Sequence, residues 1–117
     1  MLAVTNFHKE VVNTLKKILP THYEMLLHKD IETPCISYME LANQVTEQGT
    51  TLGYSLIQYQ IKVWGTKIAD LQNYSAQIDA AMRKLGFKRV GAQELHDTES
   101  TMMQKILVYE ALALEQF

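Results

Sequence analysis

Cysteine, long apolar runs and net charge are all scarce in this 117-residue chain. Cys35 is its one cysteine, which excludes an internal disulfide framework and suits a reducing compartment. Apolar residues form no run of about 18, so we expect no segment that spans a bilayer. Residues 1–19 carry charged side chains at periodic positions, which favours an amphipathic helix over a signal peptide. These features predict a protein that is made and kept in the cytoplasm.

Neither sign of charge dominates. Eleven lysine and arginine residues stand against thirteen acidic ones, which leaves a net charge of −2. A protein that binds nucleic acid through phosphate usually carries a basic excess, so dedicated DNA or RNA binding is not expected, nor is attraction to a membrane surface. The hydrophobic fraction of 47% is typical of a globular protein, and the length predicts a single domain over residues 1–117 with a thin core.

Residues that could carry chemistry are few and scattered. The four histidines and Cys35 lie in separate segments, without the short spacings that bring metal ligands together. Cys35 follows Pro34 at the start of a predicted strand, where a free cysteine packs as a small hydrophobic residue. No serine has the G-x-S-x-G context of a nucleophile, and the five glycines do not cluster before a helix. We therefore expect no catalytic residue, no cofactor and no metal.

Two stretches have apolar residues at spacings of three and four, which is the period of a helix. The first ends before Pro20, which cannot continue a helix. The second lies between Thr66, a candidate N-cap, and Gly86, a candidate C′ glycine. The two apolar stripes consist of Val4, Phe7, Val11, Leu15 and Ile18, and of Ile68, Leu71, Ile78, Met82 and Leu85.

Most of the remaining chain has strand patterns. Within 54–64, Ile57, Tyr59, Ile61 and Val63 alternate with Gln58, Gln60 and Lys62, which predicts one face on the core and one face in water. Further strands are predicted at 23–28, 35–42 and 87–95. Segment 102–114 is ambiguous, since its second half favours helix; we interpret it as a strand that forms a hairpin with the preceding segment. The predicted fold is α+β, a mixed or antiparallel sheet with two helices in the order α-β-β-β-α-β-β.

Residues 43–53 are polar and rich in threonine, and they include two glycines but no apolar period. This predicts a long loop, and such loops in compact domains are often functional or mobile. We expect the loop to be mobile in an isolated subunit and ordered on assembly. Its candidate interface residues are Gln44, Thr46, Glu47, Gln48, Thr50 and Thr51.

Three stretches together resemble the small tail-completion proteins of siphophages and prophages, a group that includes tail terminator and head–tail joining proteins. They are the strand motif YQIKVW at 59–64, the helix end at 78–83 leading into Leu85-Gly86-Phe87, and the strand motif KILVYE at 105–110. The stretch PCISY at 34–38 is similar to the early strand of these proteins. The resemblance runs from about Pro34 to Glu110, and it rests on patterns rather than on a chemical motif.

The resemblance implies a role in assembly. Such proteins form a ring, commonly a hexamer, that caps the tail tube and offers a surface to the head connector. It implies self-association, binding to the tail tube protein and to the connector or stopper protein, and a location in the host bacterial cytoplasm and then in the virion tail. The polar face of Gln58, Gln60 and Lys62 is our candidate lining for a DNA channel, with Glu40 and Glu110 offsetting the lysine charge. Tail terminator and head–tail joiner stay as alternatives.

Two other classes of protein fit the same patterns. One is a small ferredoxin-like ligand-binding or enzyme domain, which a pocket with convergent polar groups would favour. The other is an adaptor subunit of a different bacterial assembly. Genes for a tail tube, a tape measure or a connector next to the gene of this chain would favour the phage interpretation.

Overall fold

The computed structural model describes residues 4–24, 32–48, 52–96 and 102–116. These residues form two helices and five strands, namely α1 Val4–Lys16, β1 Thr21–Tyr23, β2 Cys35–Gln48, β3 Leu52–Gly65, α2 Ile68–Lys84, β4 Lys88–His96 and β5 Met103–Gln116. The strands form one sheet with the order β1-β2-β3-β5-β4. β1 pairs with β2 in parallel, and the other three pairs are antiparallel. The predicted α+β class and the element order are confirmed.

The alternation in β3 arises because this strand lies at the centre of the sheet with helices on one face only. Residues of the predicted apolar face are at most 1% exposed and pack with Leu71, Ile78 and Met82 of α2. Helix α1 contributes Val11 and Leu15 to the same cluster. The buried β3 residues are Ile57, Tyr59, Ile61 and Val63, as predicted.

The ambiguous last segment is a strand. β5 pairs with β3 from Leu52↔Gln116 to Gly65↔Met103, and Leu107 and Tyr109 are fully buried. The helix-favouring composition of its second half is overridden because all fourteen residues of β5 pair with β3. Intrinsic propensity is a weak preference that such tertiary pairing outweighs.

The loop predicted at 43–53 is wrong for the residues that the structure describes. Strand β2 continues to Gln48 and β3 begins at Leu52, and the two remain paired through Gln48↔Leu52. Polarity suggested a loop, but an antiparallel pair tolerates polar residues where its face is solvated, and threonine favours strands. Residues 49–51 lie outside the described part of the chain.

The first strand begins two residues earlier than predicted. It was predicted at 23–28, yet β1 spans Thr21–Tyr23. The shift follows from the pairing, because the Ile36 amide donates to the Pro20 carbonyl at 2.8 Å and the parallel ladder starts immediately afterwards. Residues 25–28 of the predicted strand lie outside the described residues.

The two ends of α2 differ in how well the sequence predicted them. Thr66 is not the N-cap; Lys67 takes that position without a side-chain cap bond. Gly86 has a positive φ of 98° and follows the helix as predicted, with the Gly86 amide donating to the Arg83 carbonyl at 3.0 Å. The Phe87 amide donates to the Met82 carbonyl at 3.0 Å, so the carbonyls at this helix end are satisfied.

Candidate assembly surfaces

The face of the sheet opposite the helices is a broad surface, which we call the open face. Antiparallel partners project to the same side, so Gln58, Gln60 and Lys62 of β3 share this face with their partners in β5. All three are half-buried, so the predicted polar face does reach solvent in part. The apolar residues on this face include Met39, Tyr54, Leu56, Trp64, Ile106, Val108 and Leu112. It is therefore a mixed surface, more apolar than the β3 pattern alone predicted.

Charge on the open face is balanced by acidic neighbours. Glu110 accepts a hydrogen bond from the side-chain amide of Gln58 at 3.2 Å, and the Glu24 carboxylate forms a salt bridge with the Lys62 ammonium at 2.8 Å. Glu110 lies on the open face as expected, but it is bonded to Gln58, and the charge of Lys62 is offset by Glu24 instead. The expectation for Glu40 is wrong, because this residue pairs with Tyr59 and so lies on the helix-covered side of the sheet. Sequence spacing had no signal for Glu24, which reaches Lys62 only through the fold.

Glu24 is the centre of a hydrogen-bond network at one end of the open face. The buried Ser37 hydroxyl donates to the Glu24 carboxylate and accepts from the Trp64 indole N–H at 2.8 Å. The Lys62 ammonium lies 5.6 Å from the centre of the Trp64 ring, within cation–π range. The network fixes the chain after β1 to both β2 and β3, and it holds the cationic end of Lys62 in place.

The thiol of Cys35 lies at the edge of this network. The Cys35 side chain is 1% exposed. Cys35 lies opposite Trp64 where β2 pairs with β3. Burial raises the pKa of the Cys35 thiol, and the nearby Glu24 carboxylate raises it further. Since the thiolate is the reactive form, both effects reduce nucleophilicity, and the predicted role as a small packed residue is confirmed by its burial.

A second polar cluster lies on the helix side, between α2 and β4. The Asp79 carboxylate accepts from the Tyr109 hydroxyl at 3.0 Å and from the Arg83 guanidinium at 2.8 Å, and Arg89 lies 3.8 Å away. Burial alone would raise the pKa of Asp79, but the hydrogen bonds from Arg83 and Tyr109 outweigh it and lower the pKa. The cluster borders an open groove of about 490 Å³. On the other wall, Lys105 pairs with Glu94 at 3.3 Å, so these charged groups are engaged with one another.

Other titratable groups serve the packing of the domain. His8 Nδ1 lies 3.0 Å from the Tyr59 hydroxyl, a contact that ties α1 to the central strand.

Within residues 4–24, 32–48, 52–96 and 102–116, no three histidine, cysteine or acidic residues converge on a common point as metal ligands do. None of the helices in this part of the chain is long and apolar enough to cross a membrane.

The candidate interface residues do not form one loop. Gln44, Thr46 and Gln48 pair with Leu56, Tyr54 and Leu52, respectively. Glu47 pairs with Gly53. Thr50 and Thr51 lie outside the described residues. Their assignment to an interface stays a prediction, now placed at the far end of the β2–β3 hairpin.

Comparison with known proteins finds a shared fold among solved structures. No family model matches the chain, and no curated protein matches it. Among solved structures, a chain of the structure described as "Virion of native gene transfer agent (GTA) particle" superposes with a TM-score of 0.55 and 11% sequence identity. The match covers 92% of this chain and 92% of that chain. The two chains therefore share a fold over nearly their whole length.

Proposed function

We propose that the chain is a structural virion protein of a siphophage or prophage, which forms a ring that caps the tail tube and joins it to the head connector. Its partners are further copies of itself, the tail tube protein and the connector or stopper protein. It acts by association and without catalysis, first in the host bacterial cytoplasm and then in the virion tail. A hexamer is the proposed ring size.

The observation that carries this proposal is the fold shared with a virion chain. The likeness covers 92% of both chains, so it concerns the fold as a whole and not a single shared motif. Shared folds support many functions, so this observation favours virion assembly only together with a second one. That second observation is the sequence resemblance to tail-completion proteins, which was carried by β3, the end of α2 and β5.

The open face supports a role as channel lining. A passing DNA duplex requires a wetted surface that does not retain phosphate, and net positive charge would retain it. On the described part of this face, Lys62 is paired with Glu24, and Glu110 adds a further negative charge beside Gln58. In the proposed ring, Gln58, Gln60 and Lys62 line the lumen.

The ferredoxin-like ligand-binding alternative has less support. The groove between α2 and β4 is open, and Arg83, Arg89 and Lys105 on its walls are already paired with Asp79 or Glu94. A ligand site usually presents polar groups that converge on empty space. No observation therefore favours this second function over the first.

Light scattering after size-exclusion chromatography tests the proposal. The purified chain is measured alone and after mixing with the tail tube protein encoded by the same phage or prophage. We expect a ring-sized mass, either alone or in the mixture, and tubes of limited length with the protein at one end in electron micrographs. A control uses a tail tube protein from an unrelated phage. A monomer that neither self-associates nor alters tube length contradicts the proposal.

A further inference from the structure

The sheet has an open edge at β4. This strand is last in the strand order and pairs with β5 on one side only. Eight of its nine residues are exposed, and Gly91 is half-buried. No described residue pairs with the other side of β4, so backbone N–H and C=O groups there have no strand partner in the described chain. Such an edge is a template for pairing with another strand.

A second open edge runs along β2. On its outer side β2 pairs with the short strand β1, and this ladder covers only Ile36, Ser37 and Tyr38. From Met39 to Gln48, β2 pairs with β3 alone among the residues that the structure describes. One subunit thus carries two open edges of similar length, nine residues in β4 and about ten in β2.

We propose that the outer edge of β4 in one copy pairs with residues 39–48 of β2 in the next copy, so that one sheet continues from subunit to subunit. This inference rests on the proposed function, because it supplies the contact between neighbours in the ring. The occupant of the β4 edge is accordingly a second copy of this chain.

The strand directions allow this contact. β2 and β5 run antiparallel to β3, and β4 runs antiparallel to β5, so β4 and β2 have opposite directions within one subunit. A neighbour placed beside β4 in the same orientation therefore offers β2 for antiparallel pairing, with the helices of both copies on one side of the sheet. The two surfaces differ, so the contact is heterologous and can close into a ring.

One register matches exposed side chains as well as backbone. When Lys88 of one copy lies opposite Gln48 of the next, the bulge at Val90 of β4 offsets the bulge at Leu41 of β2, so Leu95 lies opposite Ala42 and His96 opposite Glu40. Leu95 is 41% exposed in the single chain, and Leu41 in the adjoining bulge is 44% exposed, so two exposed apolar side chains lie at this contact. In this register β4 does not overlap β1, which pairs with the first part of β2.

Proline substitution in β4 tests the backbone contact. Successive amides of an edge strand point alternately to the paired side and to the open side. One of the two variants Ala92→Pro and Gln93→Pro therefore removes only an N–H that points to the open side. That variant should keep its thermal unfolding midpoint close to that of the parent and yet associate at least tenfold more weakly by light scattering. The matched serine variants, which retain the amide, should assemble normally. Normal assembly by the folded proline variant overturns the proposal.

Cysteine cross-linking tests the partner edge. Ala42→Cys and Leu95→Cys are made singly and together, and each protein is oxidised at assembly concentration. We expect the double variant to give a ladder of covalent multimers on a denaturing gel and each single variant to stay monomeric. A covalent dimer of the Leu95→Cys variant alone indicates a twofold β4–β4 contact instead. Absence of cross-links in an assembled double variant also overturns the proposed β4–β2 pairing.

These outcomes separate the inference from the function on which it rests. A ring of the parent chain that limits tube length, combined with normal assembly of the folded proline variant and no cross-link, rejects edge pairing and leaves the ring function intact. A parent chain that stays monomeric at every concentration and with tube protein present rejects both.

Discussion

Ile61 lies in the middle of the central strand and is 0% exposed, among core residues from both helices. We expect Ile61→Ala to lower the free energy of unfolding by about 2–5 kcal/mol, because the deleted atoms leave a cavity that the sheet cannot fill. Urea denaturation measures this change. Leu112→Ala is the control, since Leu112 is 53% exposed, and it should cost no more than about 0.5 kcal/mol. Equal effects of the two variants would contradict the placement of Ile61 in the core.

Asp79 makes stability depend on pH. Its pKa in the folded chain lies below the value in the unfolded chain, which is about 3.9. The ionised carboxylate therefore stabilises the fold above that unfolded pKa, and this stabilisation is lost as the pH falls through the lower, folded pKa. We expect Asp79→Asn to reduce the free energy of unfolding by about 1–3 kcal/mol at pH 7.

The pH profile separates the charge of Asp79 from its shape. The difference between the parent and Asp79→Asn should shrink as the pH falls from about 4 through the lower, folded pKa, since the parent carboxyl then takes up a proton and loses its charge. Urea denaturation at pH 7 and at pH 3 measures both differences. Asp70→Asn in the first turn of the same helix is the control. A difference that stays the same at both pH values would exclude the ionised carboxylate as its source.

The β2–β3 hairpin differs more than any other described element from what the sequence predicted. Because Asn43–Gln48 are paired with β3, we expect slow amide exchange at those residues whose N–H points toward β3, already in the isolated subunit. Exchange measured by NMR or mass spectrometry checks this, with the amides of the β3 centre as a protected reference. Fast exchange throughout 43–48 would support the mobile loop that the sequence suggested.

The polar part of the open face can be tested without altering the core. Gln58→Lys combined with Gln60→Lys should leave unfolding and assembly nearly unchanged, because surface substitutions usually cost within about 0.5 kcal/mol. In an infectivity assay the double variant should impair DNA passage, since added positive charge binds phosphate. Gln58→Asn with Gln60→Asn is the matched neutral control. If the lysine variant fails to fold or to form rings, this face is an interface and not the lumen.

At the scale of the whole molecule, ring formation links stability to concentration. A ring binds folded subunits only, so mass action stabilises the folded state as the protein is concentrated. For a hexamer, each tenfold increase should add about 1 kcal/mol per subunit to the free energy of unfolding. Thermal unfolding over a hundredfold concentration range measures this effect, and an engineered monomer with the β4 proline is the control. An unfolding midpoint that is independent of concentration would contradict ring formation by the chain alone.

The sequence by itself determined the elements whose pattern is set by a local period. The alternation from Ile57 to Val63 predicted a strand with one buried face, and the spacing from Leu71 to Met82 predicted the helix that covers it. Gly86 marked the end of that helix because a positive φ there strongly favours glycine. Each of these signals spans one helical turn or a few residues, so it can be recognised from the sequence alone.

Only the tertiary structure decided features that depend on a distant partner. The extent of β2 beyond residue 42 depends on its pairing with β3, and the start of β1 depends on its pairing with Ile36. The contact of Glu24 with Lys62 joins residues 38 positions apart in the chain. The two open edges follow from the strand order, which is a property of the whole sheet. No local period records which strands become neighbours, because pairing depends on how the complete chain buries its apolar face.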